Sequence, residues 1–179
     1  LAAEAVAFSR SISMSIESSL RDNDLTVDDL NNNPELLKEI LSDELHQIIF
    51  YLQKSKSSGA FIILDATSNS NLPDSEYSKA GIYLKNMEPN IVSSSSPTIY
   101  VLRGMADIAY KNSLPLHPQW RMEFNVADAP YYNLPMDKAN KDTSLSNLYY
   151  WSKAFTFPKT NEKIMMCSVP LIDIEGNVF

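Results

Sequence analysis

The sequence predicts an α+β fold in which a long N-terminal helix packs on a central antiparallel β-sheet. Three observations predict it: two segments of helical period open the chain, the period turns extended at residue 60, and the strands that follow lack regular crossover helices. From Leu1 to Leu20, apolar Ala5, Phe8, Ile12, Ile16 and Leu20 recur every three or four residues and paint one stripe on a helix. Glu4, Arg10 and Glu17 exclude a membrane span there, and the segment lacks the basic start and unbroken apolar run of a signal peptide. Asp22-Asn23-Asp24 breaks it, and Thr26 with Asp29 reads as a capping box over one short turn. Asn33 as N-cap, Pro34 at the first position and Glu35 beside the dipole open a second helix. It buries Leu37, Leu41, Leu45, Ile48 and Leu52, runs to about Lys54, and ends at Ser57-Ser58-Gly59.

Ala60 to Ala66 is an apolar, β-branched run expected to be a central strand, with Ala80 to Lys85 as its antiparallel partner. Ser93 to Pro97 is a connector too short to separate domains. Ile99, Leu102, Met105, Ala106 and Ala109 keep a helical period, which predicts a helix over 98–112, ended by Leu114-Pro115-Leu116-His117-Pro118. Trp120 to Val126, Tyr149 to Phe155 and Lys163 to Leu171 read as strands, and the polar stretch from Ala127 to Asn147 as a long functional loop. Ile172 to Asn177 is a hairpin turn around Gly176, and Val178-Phe179 enters another strand. The lack of an initiator Met and this late strand entry predict a segment of something longer, continuing past Phe179.

Composition removes several functions. The 179 residues carry 15 Lys+Arg against 22 Asp+Glu, a formal charge of -7, with no basic cluster to follow a phosphate backbone, so no nucleic-acid partner is expected. Four scattered glycines make neither a dinucleotide fingerprint nor a P-loop. His46, His117 and Cys167 stand at no zinc or haem spacing, so no metal and no cofactor is expected. No nucleophile elbow, His-Glu-x-x-His pair or Cys-His signature is present, and the chain is not expected to be an enzyme. Asp28-Asp29 and Asp43-Glu44 read as solvated helix faces, Cys167 and Met165-Met166 as core, Trp151 as packed, and His117 as a loop residue.

From Trp151 to Phe179 the chain carries Trp151-Ser152, then Ser168-Val169-Pro170, then Asp173-Ile174-Glu175-Gly176, preceded by Ala129-Pro130-Tyr131-Tyr132. This succession resembles the closing hairpins of extracytoplasmic Cache sensor domains, in which a Trp-Ser strand, a Ser-x-Pro strand and an Asp-x-x-Gly hairpin recur and an Arg-Pro-Trp-Tyr motif stands upstream. The likeness covers the chain in outline and is specific from about residue 129. It implies a PAS-like sheet behind a helix that leaves the membrane: residues 1–23 as stalk and dimerisation helix, and 24–179 as the membrane-distal ligand-binding module, truncated at its C-terminus. The implied protein is a homodimeric fragment of a bacterial receptor anchored in the cell membrane. Its output domain would be a histidine kinase, a diguanylate cyclase, a chemotaxis signalling domain or a DNA-binding regulator.

The departures from that pattern matter. Ala129 and Tyr131 replace the Arg and Trp that contact a ligand carboxylate in the amino-acid-binding branch, and Phe155 and Phe157 replace a Tyr and an Asp, while Asp173 is retained. The usual α-amino-acid set is therefore incomplete, and the ligand class is left among amino acids, amines and carboxylates. The candidate binding residues are Arg121, Tyr131, Tyr132, Tyr150 and Asp173. Tyr131 and Tyr132 would close from the long loop, and Arg121 either replaces the missing arginine or pairs with Glu123 on a strand face. Tyr150 points to pocket or solvent, and Asp173 either takes a ligand amine or supports its turn; Arg103 is expected on a helix in a structural role. Loop closure would bias the stalk helix, whose stripe, interrupted by serines, predicts a weak and movable dimer contact. Two other readings stay open: a structural or dimerisation module with a collapsed pocket, and a cytosolic PAS-like interaction domain.

Overall fold

A computed structural model of the chain describes residues 1–31, 33–88, 98–139, 144, 147–157 and 161–179. The expected connector at Ser93 to Pro97 and part of the stretch from Ala127 to Asn147 lie outside the described residues. The elements are α1 (Ala2–Asp22), α2 (Pro34–Ser55), β1 (Gly59–Ile63), β2 (Ser78–Lys79), β3 (Gly81–Asn86), β4 (Ile99–Arg103), α3 (Ala106–Lys111), β5 (Leu116–Arg121) and β6 (Phe124–Asn125). There follow α4 (Pro130–Lys138), β7 (Tyr150–Trp151), β8 (Phe155–Thr156), β9 (Lys163–Ile164) and β10 (Cys167–Ser168). The fold is α+β, with an N-terminal helix and a mixed central sheet. Two compact units divide the chain, Ser18–Asn125 and Leu1–Glu17 with Val126–Phe179.

In the unit Ser18–Asn125, the Asp29 carboxylate accepts the Thr26 N–H at 2.7 Å and the Thr26 hydroxyl at 2.8 Å, fixing the turn Val27–Leu30. Asn33 Oδ1 accepts the Leu36 N–H at 3.2 Å and Pro34 occupies the first position of α2, as its sequence predicts. Leu37, Leu41, Leu45, Ile48 and Leu52 are all buried, and α2 lies against β1 and β3. The helix stops at Lys56, which takes the left-handed conformation (φ 52°), because Gly59 already belongs to β1. Glu44 turns inward with 2% exposure and accepts the Gln47 amide at 2.8 Å, which corrects the solvated position expected for it, while Asp43 is exposed as expected.

The four-stranded sheet has the order β1-β3-β4-β5. β1 pairs antiparallel with β3 as expected, but it is an edge strand and not a central one. β4 pairs antiparallel with β3 and parallel with β5, so the sheet is mixed where the sequence predicts an antiparallel one. The cause lies in 98–112, which is not one helix. Ile99–Arg103 is a strand, Gly104 turns the chain at φ 134°, and only Ala106–Lys111 is helical. This short α3 is the crossover that a parallel pair requires. Pro118 sits within β5, an edge strand where its missing N–H removes no bond to a further strand.

In the other unit, α4 packs on the ribbon of β7 and β10, while β8 pairs with β9. The Ser152 hydroxyl accepts the Met166 N–H at 2.8 Å and continues the β7–β10 pairing past its last ladder residue. Trp151 and Met165 are exposed, correcting the core positions expected for both. Ser9 and Ser13 of α1 are 4% and 3% exposed. The Ser9 hydroxyl donates to the Pro170 carbonyl at 2.6 Å, and the Ser13 hydroxyl accepts the Ile172 N–H at 3.1 Å. Ser9 and Ser13, two of the serines that interrupt the stripe, are thus buried connectors, and Ile12 and Ile16 of the same stripe are fully enclosed within the chain.

Candidate functional site

The structure distributes the five expected binding residues. Arg121 ends β5 in the unit Ser18–Asn125, where it is exposed and its Nη1 donates to the Trp120 carbonyl at 2.8 Å. Tyr131 and Tyr132 lie in the first turn of α4, so the expected loop is helical there; Tyr150 is in β7 and Asp173 in the terminal hairpin. Tyr131 and Tyr150 meet through one residue. Ser168 is the register partner of Tyr150, and its hydroxyl donates to the Tyr131 carbonyl at 2.5 Å.

That last bond has a local cause. Pro135 stands four residues after Tyr131 inside α4 and has no N–H to give the Tyr131 carbonyl, so Ser168 supplies the donor that the helix lacks. Ser168→Ala, which removes this donor from a partly buried carbonyl, is expected to destabilise the chain by about 1 kcal/mol, read as a lowered urea midpoint with an unchanged slope.

Asp173 is committed to its turn. Oδ1 accepts the Glu175 N–H at 2.9 Å and the Asn177 N–H at 2.8 Å, Oδ2 accepts the Asn177 amide at 2.8 Å, and Gly176 takes φ 87°. With both carboxylate oxygens engaged in an Asx-type turn, the turn-supporting alternative of the sequence reading describes its geometry.

A second group of side chains gathers on one face of the four-stranded sheet. Residues directly opposed across antiparallel strands point to the same side, so the aliphatic pairs Ala60/Leu84 and Ile62/Ile82 form the side that meets α2. The alternate residues form the other side. Phe61 opposes Tyr83 with rings 6.1 Å apart in an edge contact, Tyr83 opposes Arg103, and Lys85 opposes Tyr100. Tyr100 in turn meets the His117 ring edge-on at 6.2 Å. Tyr83 lies across Gly59, where an added Cβ would stand 2.6 Å from its ring. Lys85 is 3% and Tyr83 9% exposed.

The polar groups of this face are held in place by the backbone of β4 and β5. Arg103 Nη1 donates to the Leu102 carbonyl at 2.7 Å and the Gln119 carbonyl at 3.1 Å, which fixes the guanidinium plane; Arg103 is on a strand and not on the expected helix. His117, in β5 and not in a loop, accepts the Gln119 N–H on Nδ1 at 3.1 Å. Burial, then the neighbouring charges of Lys85 and Arg103, hold its imidazole below the usual histidine range. Lys85, Tyr83 and Tyr100 escape a reading that looks for motifs. The signal was the alternation in Gly81 to Asn86, where Tyr83 and Lys85 occupy the side opposite Ile82 and Leu84.

Glu123 does not pair with Arg121. Its carboxylate accepts from the Ser68 N–H at 2.8 Å, the Ser68 hydroxyl at 2.7 Å, the Thr67 hydroxyl at 3.1 Å, and the Ser78 hydroxyl. This fastens the loop after β1 and the β2–β6 ribbon together. Burial pushes the carboxyl up, but the donors outweigh burial and hold it below the usual glutamate range. A depressed carboxyl contributes stability that is complete above the unfolded pKa and lost as pH falls through the folded one. Urea midpoints taken from about pH 6 down to about pH 3 are therefore expected to fall further in the wild type than in Glu123→Gln, which cannot titrate.

Among the described residues, no three His, Cys, Asp or Glu side chains are placed to hold a metal ion, and no helix is long and apolar enough to cross a membrane. Cys167 is half-buried, and burial pushes its thiol up, away from the thiolate a nucleophile needs. Comparisons with protein-family models, curated proteins and solved structures found no match to this chain.

Proposed function

We propose that the chain is a small-molecule sensor module of the Cache type, the extracytoplasmic part of a bacterial membrane receptor, and not an enzyme. The observation that carries this reading is the chemical difference between the two faces of the sheet, one aliphatic under α2 and the other set with Phe61, Tyr83, Tyr100, Lys85, Arg103 and His117. Three cationic or protonatable side chains lie there among three rings, and apolar walls with a few convergent polar groups are what a ligand site needs. The leading helix, the α+β order and the succession from Ala129 to Phe179 support the same family.

A dimer through α1 remains part of the proposal, on the side of Glu4, Ala7, Arg10 and Met14, since Ile12 and Ile16 are taken up inside the chain. The second reading is a non-binding structural module, favoured by the low exposure of Tyr83 and Lys85. A thermal-shift screen against amino acids, amines, carboxylates, purines and sugars separates the two. A ligand at 100 times its dissociation constant stabilises by about 2.7 kcal/mol, so the sensor reading expects a shifted melt. An unshifted, cooperative melt across the library overturns it for the structural one.

A further inference from the structure

We propose that the ribbon built from β7, β8, β9 and β10 docks on the surface of a lipid bilayer through its uncovered side. The inference goes beyond the sensor reading and does not rest on it. Its starting point is the exposure of Trp151 and Met165, two side chains expected in the core. Ser168 faces α4, since its hydroxyl donates to the Tyr131 carbonyl, and its register partner Tyr150 lies on the same side. Trp151 and Cys167, the next register pair, therefore lie on the opposite side, away from α4. The Ser152 N–H donates to the Met166 carbonyl at 2.9 Å and keeps the strands paired beyond them. Lys153 follows Trp151 by two positions and Met165 precedes Cys167 by two, so the alternation brings both to the side of Trp151, and both are exposed. Further along, β8 and β9 form a sheet of two strands, and three of their four residues, Phe155, Thr156 and Lys163, are exposed. A two-stranded ribbon is marginal by itself and gains from a surface to lean on.

Single exposed apolar residues are ordinary, whereas several rings gathered on one ribbon mark a contact surface. The residue types indicate which surface. Trp151, and Tyr149 beside it, carry an apolar ring with a polar tip, the side chains that settle at the headgroup level of a bilayer. Lys153 and Lys163 can lay their hydrocarbon stems along the acyl boundary while their ammonium groups reach the lipid phosphates. Charge sets the ribbon apart from the rest of the chain. Residues 149–168 hold three lysines, Lys153, Lys159 and Lys163, against one acid, Glu162, in a chain whose formal charge is -7. That local surplus is too small to track a nucleic-acid backbone, but it complements lipid phosphates where rings enter beside it. A receptor leaning on its membrane through this ribbon lies closer to the bilayer than the membrane-distal placement that the resemblance implies.

Co-sedimentation of the 179-residue chain with vesicles of phosphatidylcholine and phosphatidylglycerol, followed in parallel by tryptophan emission, tests the proposal. The expected result is saturable binding, weaker on phosphatidylcholine alone, with emission shifted to the blue as Trp151 enters the interface. Trp151→Ser combined with Phe155→Ser, and separately Lys153→Glu combined with Lys163→Glu, are each expected to weaken binding about tenfold or more. All four positions are exposed, so both double variants are expected to keep a cooperative melt. Phe50→Ser, which removes an exposed ring of α2, is expected to leave binding unchanged. A folded chain that does not sediment with either vesicle overturns the proposal, and binding that both ribbon variants leave intact overturns the assignment to the ribbon. A lipid-free dimer that the ribbon variants dissociate, or binding of a glutamate-rich peptide with none to vesicles, assigns the surface to protein and overturns the lipid.

Discussion

Gly81→Ala is expected to destabilise the chain by about 3 kcal/mol, enough to lower its urea midpoint markedly while the fold class read by circular dichroism is retained. Gly81 opens β3 opposite Ile63, where an added Cβ would stand 2.2 Å from the Ile62 carbonyl oxygen, 2.8 Å from the Phe124 ring and 3.1 Å from the Ile63 Cα. Two of these three atoms are backbone of the neighbouring strand, so no rotamer change relieves the contact and β1 itself must move. Phe124 of β6 is buried, so displacing it also disturbs the ribbon that Glu123 fastens. A stability change below about 0.5 kcal/mol would show that β1 is free to shift and is not held by α2.

Leu41→Ala is expected to cost about 3–4 kcal/mol by creating a cavity. Leu41 has no solvent exposure, and Leu37, Leu45 and Ile48 on the same face of α2 have at most 1%. Together they form the aliphatic layer over the sheet. Helix α2 is held from both ends, by Asn33 at the start and by Lys56 in the left-handed conformation at the finish, so the wall of the cavity cannot collapse by sliding the helix. Thermal unfolding with an intact cooperative transition but a lowered midpoint is the predicted signature. Leu41→Met, which conserves volume, should cost less than about 1.5 kcal/mol and separates the cavity effect from any loss of helix propensity.

The helices were legible because their signals are local. Asn33-Pro34 announces α2 and the stripe Leu37 to Leu52 gives its buried side, and both survive in the structure. The strand at 99–103 was misread for a physical reason. β4 carries a bulge, with Arg103 opposite Tyr83 and Val101 opposite Leu84, so the extra residue Leu102 is buried beside Val101. Two consecutive buried positions destroy the alternation that marks a strand and imitate a helical period. Helix α4 was hidden by its own composition, since Ala129 caps it without a side-chain bond and Pro135 interrupts it. Its carbonyl is satisfied by Ser168, 37 residues after Tyr131 in the chain, and no local pattern announces that. The candidate face was partly legible: Arg121 was singled out, but its register neighbour Arg103 was placed on a helix, and Lys85 and His117 depend on pairings between strands that no single segment encodes.

The serine connectors of α1 also order events during synthesis. Ser9 and Ser13 find their partners 161 and 159 positions downstream, whereas Ser18–Asn125 is one continuous stretch whose contacts are complete long before residue 170 exists. Closing so large a loop costs little more entropy than closing half of it, but it is slow to happen. Helix α1 is therefore fastened later than the elements of Ser18–Asn125, and Ile12 and Ile16 must wait until the segment around Pro170 to Ile172 has been made before their enclosure is complete. During that interval the nascent chain has an uncovered apolar stripe on α1, the place where a holding chaperone would engage it.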